Sequence, residues 1–310
     1  YPEYQAAMAY GLMGDDARKI SILNQVVRNN RTAELYPLSL FELGRTYVRT
    51  GKDTEASECF YMLLGMKNDS TWYSRSMLEL AMLNSNARRY DKAIDCYKSI
   101  IRNAPASPEV QDAVSGLESI YQIQNRPEEF LNYIAEIGMD DLKSDEERED
   151  MIFAAAERVY LARNWSRATS SLQSFIAKYP RSAKTPVASL YLADCLKNTG
   201  RLEAASDAYR KLIKAANPSV AESASARFGA INFDLQRYDL AVEGYEKFAA
   251  KASTAENRLS AYTGLMRSHF RGQKYRDAIK DAQVLASLPG CSAALDREAR
   301  YISAKSYRTV

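Results

Sequence analysis

The chain is built from copies of itself, and that excludes any fold in which each residue has a unique environment around one centre. The small residues Ala56, Ala93, Ala168, Ala205, Ala241 and Ala278 follow one another at separations of 37, 75, 37, 36 and 37 residues. The 75 is a doubled step, and Phe130 stands inside it at the equivalent position of one more copy. Around each alanine the same order recurs, as in Leu43, Gly44, Tyr47, Gly51, Ala56 and Phe60, and again in Ala193, Gly200, Leu202, Ala205 and Tyr209. Weaker copies carry Leu80, Ala81, Tyr90, Ala93 and Tyr97, then Phe228, Gly229, Tyr238, Ala241 and Tyr245, then Leu265, Tyr275, Ala278 and Leu285. A period of this length marks an array in which each unit rests on its neighbours.

Each unit reads as two helices. Leu40, Leu43, Tyr47 and Val48 recur at helical spacing, Gly51 interrupts, and Ala56, Phe60, Leu63 and Leu64 resume. The small residues belong where two helices cross closely, with the aromatics beside them. Pro105, Pro180, Pro218 and Pro289 follow second helices, where proline ends a helix without removing a needed hydrogen bond. Ser107, and Ser182 or Thr185, are expected to cap the helices that follow. Asp145, Glu146 and Glu147, within the acidic stretch from Asp140 to Asp150, suit the positive end of a helix; an acidic docking site is the alternative reading.

These residues resemble the tetratricopeptide repeats over essentially the whole chain, most closely at Leu43–Phe60 and Leu192–Tyr209. The resemblance implies an all-α fold, a right-handed superhelical α-solenoid of stacked helix-turn-helix repeats. It is expected to form a single array over 1–310, with hairpins near 1–33, 34–69, 70–105, 106–142, 143–180, 181–217, 218–253 and 254–290 and a half-repeat at 291–310. Two copies depart from the pattern: Lys19 stands where a small residue is expected, and Phe130 follows Pro127. The first and last segments read as the cut ends of a longer repeat protein.

Composition narrows function. The chain has 42 basic and 39 acidic residues, one histidine and four cysteines, with a mean hydropathy of −0.41. No apolar run has membrane-spanning length. Motifs for phosphate cradling, zinc hydrolysis or paired-cysteine chemistry are missing, so no catalytic residue, cofactor or metal is expected. His269 is expected to be a satisfied, partly buried side chain. Cys59 and Cys96, at equivalent places in adjacent copies, are expected to lie too far apart for a disulfide. Charge is uneven: residues 1–155 carry 17 basic and 25 acidic side chains, and residues 156–310 carry 25 and 14. A basic second half raises nucleic-acid binding as a weaker reading, against which the basic residues are dispersed and no recognition motif appears.

In the family the first helices line the concave face, which here would present Arg45, Arg49, Arg75, Glu79, Asn86, Glu157, Asp194, Lys197, Asn198, Arg227, Asp234, Arg267 and Arg271. The leading expectation is a non-catalytic protein–protein interaction scaffold that takes a peptide or protein segment there. Plain solvation of these residues is the competing reading. A regulatory or substrate-recruiting arm of a larger enzyme or sensor is the alternative function. The family's Lys/Asn clamp for chaperone tails is disfavoured, because Phe41 and Arg45 occupy its places. Tyr179-Pro180-Arg181-Ser182 is similar to linkers of bacterial envelope repeat proteins, which implies a periplasmic or cell-envelope setting, with the cytoplasm as the alternative.

Overall fold

A computed structural model describes residues 1–29, 34–66 and 70–309. Two of the expected hairpin boundaries, at 33/34 and 69/70, involve residues 33 and 69, which lie outside the described residues. The described residues form seventeen α-helices and no strand. The helices are α1 (Pro2–Leu12), α2 (Asp16–Asn29), α3 (Leu35–Arg49), α4 (Asp53–Leu64), α5 (Ser70–Asn86), α6 (Tyr90–Asn103), α7 (Val110–Ile123), α8 (Pro127–Glu136), α9 (Asp145–Leu161), α10 (Trp165–Lys178), α11 (Thr185–Asn198), α12 (Leu202–Leu212), α13 (Pro218–Asp234), α14 (Tyr238–Lys251), α15 (Ala255–Arg271), α16 (Tyr275–Ser287) and α17 (Ala293–Tyr307). They form an all-α helical repeat solenoid, in two compact units at residues 1–142 and 143–310. Within each unit, successive helices pack in line, and from α3 to α7 and from α9 to α17 each first helix also touches the next.

The six alanines that set the period are fully buried. Each lets its second helix approach the first, and in all but the Ala278 copy, where Ala282 stands, an aromatic or large aliphatic one turn later fills the space beside it: Phe60, Leu172 and Tyr209 have no exposed surface. The hairpin turns repeat as closely as the core. Gly14, Gly51 and Gly200 have positive φ there, and so do Arg88, Asn125, Arg163, Gln236 and Gln273. In the second hairpin, the Gly51 N–H bonds to the Val48 carbonyl and the Lys52 N–H to that of Tyr47. The same geometry follows at Arg88 and Arg89, so the helix-ending turn belongs to the repeat whether or not glycine fills it.

The two irregular copies are accommodated locally. Lys19 is buried, and its ammonium lies 2.9 Å from Glu42. Space for its stem comes from Gly11, where a Cβ would stand 2.8 Å from Lys19 Cδ. Phe130 is fully buried, with Pro127 in the first turn of α8. Ser144 caps α9 through a reciprocal bond pair with Glu147, as the acidic run suggested. The other caps differ from expectation. Ser107 Oγ accepts the Glu109 N–H and Ser182 Oγ the Lys184 N–H, closing turns before α7 and α11. These hydroxyls bond two residues ahead, the serine-turn alternative to a cap, and α11 has no side-chain cap from Thr185 either. All four cysteines are free thiols. Burial pushes the Cys59 thiol up to about 12, so it packs as an unreactive apolar group. His269 is buried with Nδ1 2.6 Å from Asp281 Oδ2.

Candidate functional site

Charged residues on the first helices bond mainly from one repeat to the next. Arg49 forks onto Asp16, with Nε 3.0 Å from Oδ2. Arg45 Nε lies 3.3 Å from Glu79, and Arg75, whose guanidinium lies 5.7 Å from the Trp72 ring centroid, is 3.4 Å from Glu109. In the second unit Tyr191 donates to Glu157 at 3.0 Å, and Arg267 forks onto Glu298 at 2.6 and 2.7 Å. Separately, each exposed pair contributes at most about 1 kcal/mol. Repeated within each unit, they tie one repeat to the next and leave these side chains already engaged.

Glu109 shows the pattern with titration. Burial raises its carboxyl, but hydrogen bonds from Ser107 and Ser74, its backbone bond and the Arg75 charge together hold it below the usual range. A depressed folded value gives stability above the ordinary glutamate range that is lost as pH falls through the folded value. Glu109→Gln is therefore expected to flatten the acid limb of the first unit's stability, read from urea midpoints across the carboxylate range. An unchanged acid limb would remove Glu109 from that role.

The densest polar centre is Asp194, with 8% of its surface exposed. Its Oδ1 receives the Tyr209 hydroxyl at 2.6 Å and faces Arg227 Nε at 2.9 Å, while Oδ2 receives the Tyr160 hydroxyl at 2.7 Å. Tyr160 stacks on Tyr191 with centroids 4.1 Å apart. Burial first, then the bond to Asp194, pushes both phenols upward, so they remain donors. Asn198 Nδ2 bonds to the Asp194 carbonyl at 2.8 Å.

One repeat further on, the centre is absent. Counted back from Ala205, Ala241 and Ala278, the residues equivalent to Asp194 are Ala230 and Arg267, and those equivalent to Tyr191 are Arg227 and Gly264. Between α13 and α15 the facing positions are thus Ala230 and Gly264, and the rung has no side chains long enough to meet. A groove of about 430 Å³ lies there, with Tyr245, Phe233, Leu259, Leu295, Ser260 and Arg267 among its lining residues. A Cβ on Gly264 would fall 2.4 Å from Tyr245 Cε1, so the ring requires a glycine beside it. Tyr245 stands where Tyr209 stands one repeat earlier, but its hydroxyl makes no hydrogen bond among the described residues. Burial and then Asp234 push this phenol upward, against Arg267.

Of the residues read from sequence, Asp194 and Arg227 meet, Arg45 and Glu79 meet, and Arg267 borders the groove. Asn86, Lys197, Asp234 and Arg271 are exposed near the ends of their helices and make no ion pair or hydrogen bond among the described residues. Arg49 and Asn86 in the first unit, and Asn198, Asp234 and Arg271 in the second, share one register position at the last turn of their first helices, where other copies carry the exposed Leu12, Ile123 and Leu161. Tyr245, Phe233, Leu259 and Leu295 were not anticipated as site residues. The signal was the pair of small residues Ala230 and Gly264 at columns that elsewhere hold long side chains. Among the described residues no helix is long and apolar enough to cross a membrane.

Residues 153–221 and residues 75–107 each match a family model described as tetratricopeptide repeat. No curated protein matches the chain. Among solved structures it is similar to the C-terminal part of a TPR repeat-containing protein from Cytophaga hutchinsonii, at 14% identity and a TM-score of 0.42, over 95% of this chain and 98% of that one. It is also similar to a tetratricopeptide repeat protein from Parabacteroides merdae, at 13% identity and a TM-score of 0.33, over 98% of each chain.

Proposed function

We propose, for a chain that carries tetratricopeptide repeats and is in general terms a protein-interaction scaffold, that its partner is a peptide or protein segment held on the first helices α13, α15 and α17. The observation that carries this reading is the interrupted ladder at Ala230 and Gly264. Where neighbouring repeats fill that place with their own side chains, this one offers a groove lined by Phe233, Tyr245, Leu259 and Leu295 together with Glu256, Ser260 and Arg267. One anchoring side chain of a partner fits such a volume, and its backbone or polar groups would meet Tyr245. Asp234 and Arg271, at one register position on the neighbouring helices α13 and α15, would set the direction of the segment. The paired arginines Arg45, Arg49 and Arg75 would serve register before recognition. No catalytic role is assigned. A bacterial cell-envelope setting belongs to the same proposal and rests on the Tyr179–Ser182 resemblance.

Ser260 lines the groove and is exposed, so Ser260→Trp fills the space without entering the core. Peptides selected from a displayed random library against the intact chain are expected to bind Ser260→Trp about tenfold more weakly or worse, the loss of one anchor. Equal affinity, or a library that returns no binder, would defeat the groove.

A further inference from the structure

The second helices of unit 143–310 hold a cleft of different character. It lies between α12 and α14, has a volume of about 750 Å³, and is lined by Arg210, Lys211, Lys214, Lys247 and Lys251 against only Asp207 and Glu243. Arg210 Nη2 sits 3.0 Å from Glu243, which accounts for one charge of each sign. The four lysines are exposed and make no ion pair or hydrogen bond among the described residues. A helix C-terminus favours a cation nearby, and Lys211, Lys214 and Lys251 answer that for α12 and α14. It gives no reason for Lys247 to line the same cleft. Four like charges around one cavity repel, and an anion placed among them relieves that repulsion. The surroundings add to the field, since residues 143–310 hold 27 basic and 19 acidic side chains.

We infer that this cleft docks a carboxylate-rich, extended segment of a partner protein. Its shape and lining choose among anions. A flat lipid surface meets the rims of a cleft and leaves the interior unfilled. Single-stranded nucleic acid gains much of its hold from stacking on aromatic rings, and none lines this cavity. The guanidinium suited to forked phosphate contacts is held by Glu243, leaving ammonium point charges on flexible stems. Such charges follow the carboxylates of an extended chain, whose side chains alternate toward α12 and α14. The site lies on second helices and uses none of the groove residues named above, so its test is independent of that reading.

The test uses the full chain and a short fluorescein-labelled peptide of alternating glutamate and serine, with anisotropy read at low and high salt. Binding is expected at low salt, weakened about tenfold as salt shortens the reach of the lysines. It is expected to weaken at least tenfold again in Lys211→Glu/Lys214→Glu/Lys247→Glu/Lys251→Glu. A control with the same change of net charge at Arg276, Arg297, Lys305 and Arg308 should lose far less. If the fourfold variant does not fold by circular dichroism, Lys211→Gln and Lys247→Gln replace it, each with about a threefold loss. No peptide binding at low salt, equal loss in the distant control, or unchanged binding by the cleft variants would overturn the inference. So would tighter binding of oligothymidylate or of phosphatidylserine vesicles than of the peptide.

Discussion

Asp194→Ala is expected to lower the stability of the second unit by about 3 kcal/mol, the range for removing one member of a buried charged network. The figure follows from what the substitution leaves behind. Tyr209 has no exposed surface, so its hydroxyl, 2.6 Å from the lost oxygen, would be stranded without water. Tyr160, half-buried on the facing helix, would lose its acceptor at 2.7 Å. Arg227 keeps 35% of its side chain exposed, so water covers much of its loss and it adds little. The cost is dominated by the orphaned phenols. Two further variants separate these contributions. Asp194→Asn retains one acceptor and is expected to cost about half as much. Asp194→Ala combined with Tyr209→Phe removes the stranded hydroxyl and is expected to be about 1 kcal/mol more stable than the sum of the single changes. Urea unfolding gives the magnitudes, and hydrogen exchange locates the loss in α9 to α13, as expected when repeats unfold partly independently. A change under about 0.5 kcal/mol for Asp194→Ala would show that the cluster decorates the face without holding it.

The contrast between this cluster and the turns shows what can be read from residues alone. Ala56, Ala93, Ala205 and Ala241 announced the helix crossings because a small side chain lets the two helices approach there, whereas Lys19 and Phe130 fill the equivalent place in two copies and are accommodated by local changes. Gly51 and Gly200 likewise announced their turns. Arg88, Arg163 and Gln236 hid theirs, since the left-handed residue costs only about 1 to 2 kcal/mol with a side chain and packing on both sides supplies the difference. The polar ladder was half visible. Arg45 and Asp194 could be placed on first helices, but their partners Glu79 and Arg227 stand a repeat away with the signs reversed, and no spacing within one copy reveals that. The groove was hidden because Gly264, one of its lining residues, opens it by what it lacks. The serines at 107 and 182 misled because one hydroxyl serves a cap or a turn equally well, and the backbone ahead of it decides.

Gly244→Ala carries the second large expected effect, a loss of about 2 kcal/mol, together with weaker peptide binding in the groove. A Cβ on Gly244 would lie 2.5 Å from the Gly229 nitrogen and 2.7 Å from its Cα. Backbone meets backbone there, so no rotamer change relieves the overlap and α13 and α14 must move apart. Overpacking of this kind costs about 1 to 3 kcal/mol, at the upper end where the obstacle cannot turn aside. Replacing a helical glycine by alanine returns about 1 kcal/mol of helix propensity, which leaves the net figure. Gly44→Ala offers a comparison in the first unit: its Cβ would meet the Phe60 ring at 2.7 Å, a side chain that can tilt, and a smaller loss is expected. The functional consequence follows from the next residue. Tyr245 packs on Gly229 and on Gly264 and lines the groove, so parting α13 from α14 shifts the ring there. Affinity for selected peptides is then expected to fall in Gly244→Ala even at temperatures where the chain is fully folded. A variant with wild-type stability would mean the two helices are not pressed together as described, and one with lost stability but unchanged affinity would detach Tyr245 from recognition.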